Sequence, residues 1–219
     1  MSYDINMIKE TTNMMYDTFK DYLSEALDPV SKTAHLFDID ETLFHTKAKV
    51  AVVKDGRVVR MLDNQEFNTY KRKPGEEYDF KEFKSAEVFR RTSTPISKMI
   101  EKAKAIVKAK SNPHSKAIIV TARADFDDKD MFLQTFRDHG LPIDSMHVER
   151  SGNLGMDSPA EAKKVVFRKY LNTKNYIKTR LYDDAMSNLK AFLELQAEYP
   201  DVVFEAWFVN HDGSVKRIR

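Results

Sequence analysis

Three short apolar runs in this chain end in residues that could do chemistry. Ala34-His35-Leu36-Phe37 leads into Asp38, Asp40 and Thr42; Ala117-Ile118-Ile119-Val120 leads into Thr121 and Arg123; Thr179-Arg180-Leu181-Tyr182 leads into Asp183 and Asp184. Lys163 and Lys164 fall between the second and third runs. Several carboxylates gathered in one place repel one another unless a cation neutralises them. All of these carboxylates are oxygen donors, and the chain has no cysteine and no histidine pair at ligand spacing along the sequence. Oxygen-only ligation points to Mg²⁺ rather than zinc or copper, and Mg²⁺ shares its positions between waters and a phosphate. With a hydroxyl and an ammonium added, the residue types point to phosphoryl chemistry.

For these groups to meet, the three runs must be neighbouring strands. The pattern between them supports that. Asp128 to His139 reads as a helix closed by Gly140. Ser158-Pro159-Ala160-Glu161 has the form of a capping box with proline at the first helical position, starting a helix that runs to about Leu171. Thr94-Pro95 reads as the opening of a helix to about Lys110, and residues 185–199 as another helix. Met146-His147-Val148 and residues 202–209 add strands, and His211-Asp212-Gly213 turns into a short last one. Strands alternating with helices of ten or more residues predict an α/β fold, a doubly wound and mostly parallel sheet covered on both faces. Ligands of such sheets bind at the carboxyl ends of the strands, where the polar residues above stand.

Two segments fall outside this alternation. Apolar residues at three- and four-residue steps predict an amphipathic helix over residues 4–27, within an N-terminal piece of about 1–28. Residues 48–53 and 58–61 flank Lys54-Asp55-Gly56, a hairpin signal, and Asn64 to Thr92 reads as an irregular excursion with some helix. Together they make an insert over about 47–92 in what is otherwise a single domain.

The run His35-Leu36-Phe37-Asp38-Ile39-Asp40-Glu41-Thr42 resembles the first motif of the haloacid dehalogenase (HAD) superfamily, in which apolar residues precede Asp-x-Asp-x-Thr. Ile118-Ile119-Val120-Thr121 is similar to the second motif, a lysine near a helix start to the third, and Leu181-Tyr182-Asp183-Asp184 to the fourth. The four occur in the family's order and cover most of the chain. The resemblance implies a Rossmann-like core and a Mg²⁺-dependent phosphatase acting on a phosphomonoester. Asp38 would be the nucleophile that becomes an aspartyl-phosphate, and Asp40 the general acid and base. Thr121 would donate to the transferring phosphoryl group, and Lys163 would neutralise charge on Asp38 and phosphate. Lys163 is preferred to its neighbour because Val166 and Phe167 would pack that side of the helix. Thr42, Arg123 and Lys164 are the expected substrate contacts. The metal ligands would be the Asp38 side chain, the Asp40 carbonyl and Asp183, with Asp184 as neighbour or replacement.

The resemblance also makes the 47–92 insert a small cap. A small lid leaves a cleft open, and an open cleft admits a large substrate such as a nucleic-acid end or is covered by a second copy of the chain. A nucleotide or sugar phosphate fits the motifs equally. A phosphotransferase and a phospho-ligand-binding module without turnover are the alternatives on the same fold. His45 is expected to be structural, and Lys71-Arg72-Lys73 and Arg90-Arg91 to be solvated surface.

Composition sets bounds on all this. Of the 219 residues, 42% are hydrophobic and 32% charged, which suits a packed domain rather than a disordered chain. The 36 basic against 34 acidic residues give +2, too even a balance to point to nucleic acid by itself. No apolar run reaches membrane-spanning length, and the charged residues scattered through the first 23 positions are unlike a secretory signal. A cytoplasmic protein with no membrane partner is the expectation.

Overall fold

The computed structural model describes residues 32–109 and 115–219. The helix expected over 4–27 lies outside the described residues.

In chain order the elements are β1 (Thr33–Phe37), β2 (Phe44–His45), β3 (Val50–Lys54), β4 (Arg57–Leu62), α1 (Asn64–Thr69), β5 (Glu76–Asp79), α2 (Lys81–Lys84), α3 (Ala86–Thr92), β6 (Thr94–Pro95) and α4 (Ser97–Lys108). There follow β7 (Lys116–Thr121), α5 (Lys129–Asp138), β8 (His147–Arg150), α6 (Pro159–Leu171), β9 (Lys178–Asp183), α7 (Met186–Glu194), β10 (Val203–Val209) and β11 (Val215–Arg217). Six strands form the main sheet in the order β11-β10-β9-β1-β7-β8. Every neighbouring pair is parallel except β10 with β11.

Burial explains why the strands read as continuous apolar runs. Successive side chains of a strand point to opposite faces, and here both faces are covered. Phe37, Ile119 and Tyr182 join Phe44, Phe89, Met99, Phe132 and Phe136 in one layer. Leu36, Ile118, Val120 and Leu181 join Phe167, Leu189, Phe192 and Phe204 in the other. In register, Phe37 lies opposite Ile119 on β7 and Tyr182 on β9. Asp38 and Asp183, just beyond Phe37 and Tyr182, therefore emerge side by side at the carboxyl end of the sheet, with Thr121 two residues past Ile119 on β7. After β1 the chain builds outward through β7 and β8, then returns to the other side of β1 with β9 and β10. The reversal puts the switch in strand order at β1, whose carboxyl end is the usual ligand position in such sheets.

The 47–92 segment is more ordered than its sequence suggests. β3 and β4 pair as a hairpin, with Asp55 (φ 50°) and Gly56 (φ 73°) both in the left-handed region that a tight two-residue turn demands. β5 adds to the other edge of β3, completing an antiparallel sheet in the order β4-β3-β5. Val50, Val52 and Leu62 form its small core, packed by Phe67, Tyr70, Tyr78 and Phe83.

Thr94-Pro95 does not open a helix. It pairs as β6 with Phe44-His45, and α4 begins at Ser97 behind Ile96, with no side-chain cap. Proline's fixed φ suits an extended residue as well as a first helical turn, and the ladder with β2 decides between them. The helix expected over 185–199 ends at Glu194 and tightens into a 3₁₀ turn, Leu195–Ala197. Among the described residues no helix is long and apolar enough to cross a membrane.

Candidate active site

The loop after β1 is tight and buried. The Asp38 N–H donates to the Tyr182 carbonyl at 3.1 Å, carrying the β1–β9 ladder one residue past β1. The Ile39 carbonyl then receives the N–H groups of Thr42, Leu43 and Phe44, while Glu41 holds a left-handed φ of 55°. A non-glycine residue there is uncommon and is sustained only where its surroundings fix it.

Lys163 lies within the second turn of α6, whose start is fixed by Ser158, the acceptor for the Glu161 N–H, and by Pro159. Its ammonium donates to Asp38 Oδ1 at 2.8 Å and to Asp183 Oδ2 at 2.7 Å. All three groups are buried. Asp183 is held further by the Ala185 N–H and by the Asn188 side-chain amide, which reaches both carboxylate oxygens. Asp184 accepts no hydrogen bond from another described residue, yet it too offers an oxygen: those of Asp38, Asp183 and Asp184 lie within 4.8 Å of one another.

One lysine does not balance these carboxylates. Burial pushes the Asp38 carboxyl up to about 7; Lys163 draws it down, and Asp183 and Asp40 push it up again. Burial likewise raises Asp184 to about 8, reinforced by the charges of Asp183 and Asp38. Burial works against the Lys163 charge too, but Asp183 and Asp38 outweigh it and hold the ammonium well above the usual lysine range. Three converging carboxyl groups that one ammonium leaves under-neutralised, all of them oxygen donors, could hold a metal ion.

Asp40 is fixed from another direction. Arg123 Nη2 donates to Asp40 Oδ1 at 2.7 Å and Nε to Oδ2 at 2.9 Å, a two-pronged clamp. The guanidinium also donates to the Phe83 carbonyl at the end of the three-stranded segment and to the Thr46 hydroxyl. It lies 4.5 Å from the Phe83 ring centroid, 5.0 Å from that of Phe89 and 5.5 Å from that of Phe126. The backbone carrying Arg123 is itself supported: its N–H donates to the Thr121 hydroxyl oxygen, and Gly152 donates to its carbonyl.

The structure therefore brings Asp38, Asp183, Asp184 and Lys163 together, with Asp40 close enough for its charge to act on Asp38 and with Thr121 at the end of β7. It does not bring Lys164 there. That ammonium pairs with Glu161 at 3.3 Å and Glu194 at 2.9 Å, because the adjacent position on a helix points elsewhere. Arg123, expected at a substrate, spends its donors on Asp40, Phe83 and Thr46. Thr42 is fully buried, and its hydroxyl has no hydrogen-bond partner. Lys71, Arg72, Lys73, Arg90 and Arg91 are exposed.

Two features escaped the sequence. Asn188, in the first turn of α7, braces Asp183, and an asparagine five residues beyond a carboxylate carries no signal of its own. The second is spatial: no histidine pair stood at ligand spacing along the chain, yet His45 and His211 meet, their ring centroids 4.1 Å apart, beside Glu41. Comparison with protein-family models and with curated proteins finds no match to the chain.

Proposed function

We propose that this chain is a Mg²⁺-dependent phosphatase of the HAD type, hydrolysing a phosphomonoester through an aspartyl-phosphate on Asp38. The observation that carries the reading is the placement of Lys163 between Asp38 and Asp183, with Asp184 in reach, at the carboxyl end of the central strand.

In the first step an Asp38 oxygen attacks phosphorus in line and the bond to the leaving oxygen breaks; Asp40 donates the proton that oxygen takes up. In the second, Asp40 takes a proton from water, whose oxygen attacks phosphorus and releases Asp38 and inorganic phosphate. Lys163 keeps the nucleophile oriented and offsets negative charge as two anions approach. Asp183 holds Lys163 in place, and Asn188 and the Ala185 N–H hold Asp183. Arg123 fixes the plane of the Asp40 carboxylate. Asp38, Asp183 and Asp184 are the side chains that would hold the Mg²⁺ ion, and Asp184 is the one of the three that accepts no hydrogen bond from another described residue. When bound, the ion supplies charge neutralisation and a template for phosphate oxygens.

The three-stranded 47–92 segment is the cap in this reading, touching the site through the Phe83 carbonyl on Arg123. Its small size suits a nucleic-acid end, a nucleotide or a sugar phosphate. The test is phosphate release from p-nitrophenyl phosphate with Mg²⁺, set against Asp38→Asn and against chelator. Release that is equal in wild type and Asp38→Asn, or absent across phosphorylated metabolites and 3′-phosphorylated oligonucleotides, sinks the proposal.

A further inference from the structure

We propose that Glu41, His45 and His211 form a second metal site, one that takes a transition ion of the Zn²⁺ class. Glu41 Oε2 lies 2.7 Å from His45 Nδ1 and 3.6 Å from His211 Nδ1. The three potential ligand atoms all lie within 4.8 Å of one another. Four ligands at about 2.0–2.1 Å around a tetrahedral ion stand roughly 3.3 Å apart; the two Glu41–histidine spacings lie within roughly 0.6 Å of that, and no pair of the three atoms is more than about 1.5 Å from it.

The carboxylate is already oriented for this. Its other oxygen, Oε1, accepts the Thr46 N–H at 3.1 Å, and Glu41 keeps its left-handed backbone. A ligand fixed by a hydrogen bond on its far side is how metal sites hold their donors ready. His211 supplies the adjustable arm. It stands in the turn between β10 and β11, its side chain 85% exposed, and still lies against His45 and Glu41 instead of extending into water. A hydrogen bond between His45 and Glu41 alone gives no reason for the second imidazole. Two ring nitrogens and one carboxylate oxygen, with room left for water, make the donor set of an open zinc site. The same set is unsuited to Mg²⁺, which prefers oxygen. The chemistry thus separates this site from the Asp38, Asp183 and Asp184 cluster. An ion here would clasp the loop that follows Asp40 to the β10–β11 turn.

The test is a calorimetric Zn²⁺ titration of the full chain in excess Mg²⁺, joined to NMR of the six histidines labelled with ¹⁵N. One Zn²⁺ is expected to bind per chain with shifts at His45 and His211, and His211→Ala or His45→Ala is expected to weaken it about tenfold or more. His147→Ala, on β8 away from the cluster, leaves binding unchanged. His211 is an exposed turn residue, and an unaltered circular dichroism spectrum of His211→Ala shows that lost binding is not lost fold. Absence of Zn²⁺ binding by the wild type, or an isotherm that His211→Ala and His45→Ala leave unchanged, overturns the proposal.

Discussion

Arg123 grips both oxygens of Asp40, at 2.7 Å and 2.9 Å, from a position 83 residues further along the chain. The arginine side chain is 1% exposed and the aspartate 17%. The guanidinium is shielded by the rings of Phe83, Phe89 and Phe126. The pair joins the β1 loop, the β7 loop and the 47–92 segment through one guanidinium, so the position of the proposed acid and base depends on all three.

From this we predict that Arg123→Lys lowers kcat about 10- to 100-fold with little change in KM. A lysine keeps the charge but cannot make the two-pronged contact. Arg123→Ala also leaves Asp40 and the Phe83 carbonyl unpaired and costs about 3 kcal/mol of stability. Steady-state kinetics with denaturant unfolding of both variants checks this; a KM effect with kcat intact would show that Arg123 touches substrate instead.

The adjacent lysines give a sharper contrast. Lys163→Met removes the only ammonium hydrogen-bonded to Asp38 and Asp183 among the described residues, and breaking a buried ion pair from one side costs about 3–5 kcal/mol. Activity should fall about 100- to 1,000-fold, as when a preorganised charge contact is deleted from a site. Lys164→Met breaks pairs between a largely covered lysine and the exposed carboxylates of Glu161 and Glu194, worth about 0–1 kcal/mol, and leaves turnover within about twofold. Equal losses in the two variants would remove Lys163 from its assigned role.

Much of this arrangement is legible in the sequence because it rests on local pattern. The apolar runs ending at Phe37, Val120 and Tyr182 are buried on both faces, so their carboxyl ends had to share an edge. Both lysines of α6 are buried beside Val166 and Phe167, so burial alone does not separate them; their partners do, Asp38 and Asp183 for Lys163 against Glu161 and Glu194 for Lys164. What the sequence hides is set by distant partners. β5 reads Glu-Glu-Tyr-Asp, a polar stretch that becomes a strand only because β3 offers it an edge. Thr94-Pro95 is claimed by β2 in the same way. The Arg123 clamp and the meeting of His45 with His211 leave no periodicity to read, since each joins residues brought together only by the finished sheet.

The raised carboxyls make a prediction about protons. Asp38 near 7 and Asp184 near 8 each retain part of a proton at pH 7 without metal, and a metal ligand must shed it. Mg²⁺ binding at pH 7 should release about one proton per ion and tighten as pH rises from 6 to 8. The same groups ionise near 4 in the unfolded chain, so between pH 4 and about 8 the unfolded state binds fewer protons than the folded one. Metal-free stability therefore falls as pH rises across that window, and Mg²⁺ restores it. Calorimetry in two buffers of different ionisation enthalpy reads the proton release; identical heats in both would contradict it.

The last prediction concerns a residue that touches neither carboxylate nor metal. Gly152 begins the support under the Arg123 loop: its N–H donates to the Arg123 carbonyl, and Ser151 beside it donates from its hydroxyl to the Thr121 carbonyl at 2.9 Å. A Cβ at position 152 would stand 2.7 Å from the Arg123 carbonyl carbon and 2.7 Å from the Ala124 nitrogen, with the Ala122 oxygen nearer still. These are backbone atoms, so the loop itself must move. Gly152→Ala should cost about 1–3 kcal/mol by overpacking and, by shifting the root of Arg123, lower kcat about tenfold while Mg²⁺ binding at the carboxylates holds. Kinetics and Mg²⁺ calorimetry on the one variant separate the two effects. Wild-type kcat in a destabilised Gly152→Ala would mean that Arg123 and Asp40 keep their geometry independently of the loop beneath them.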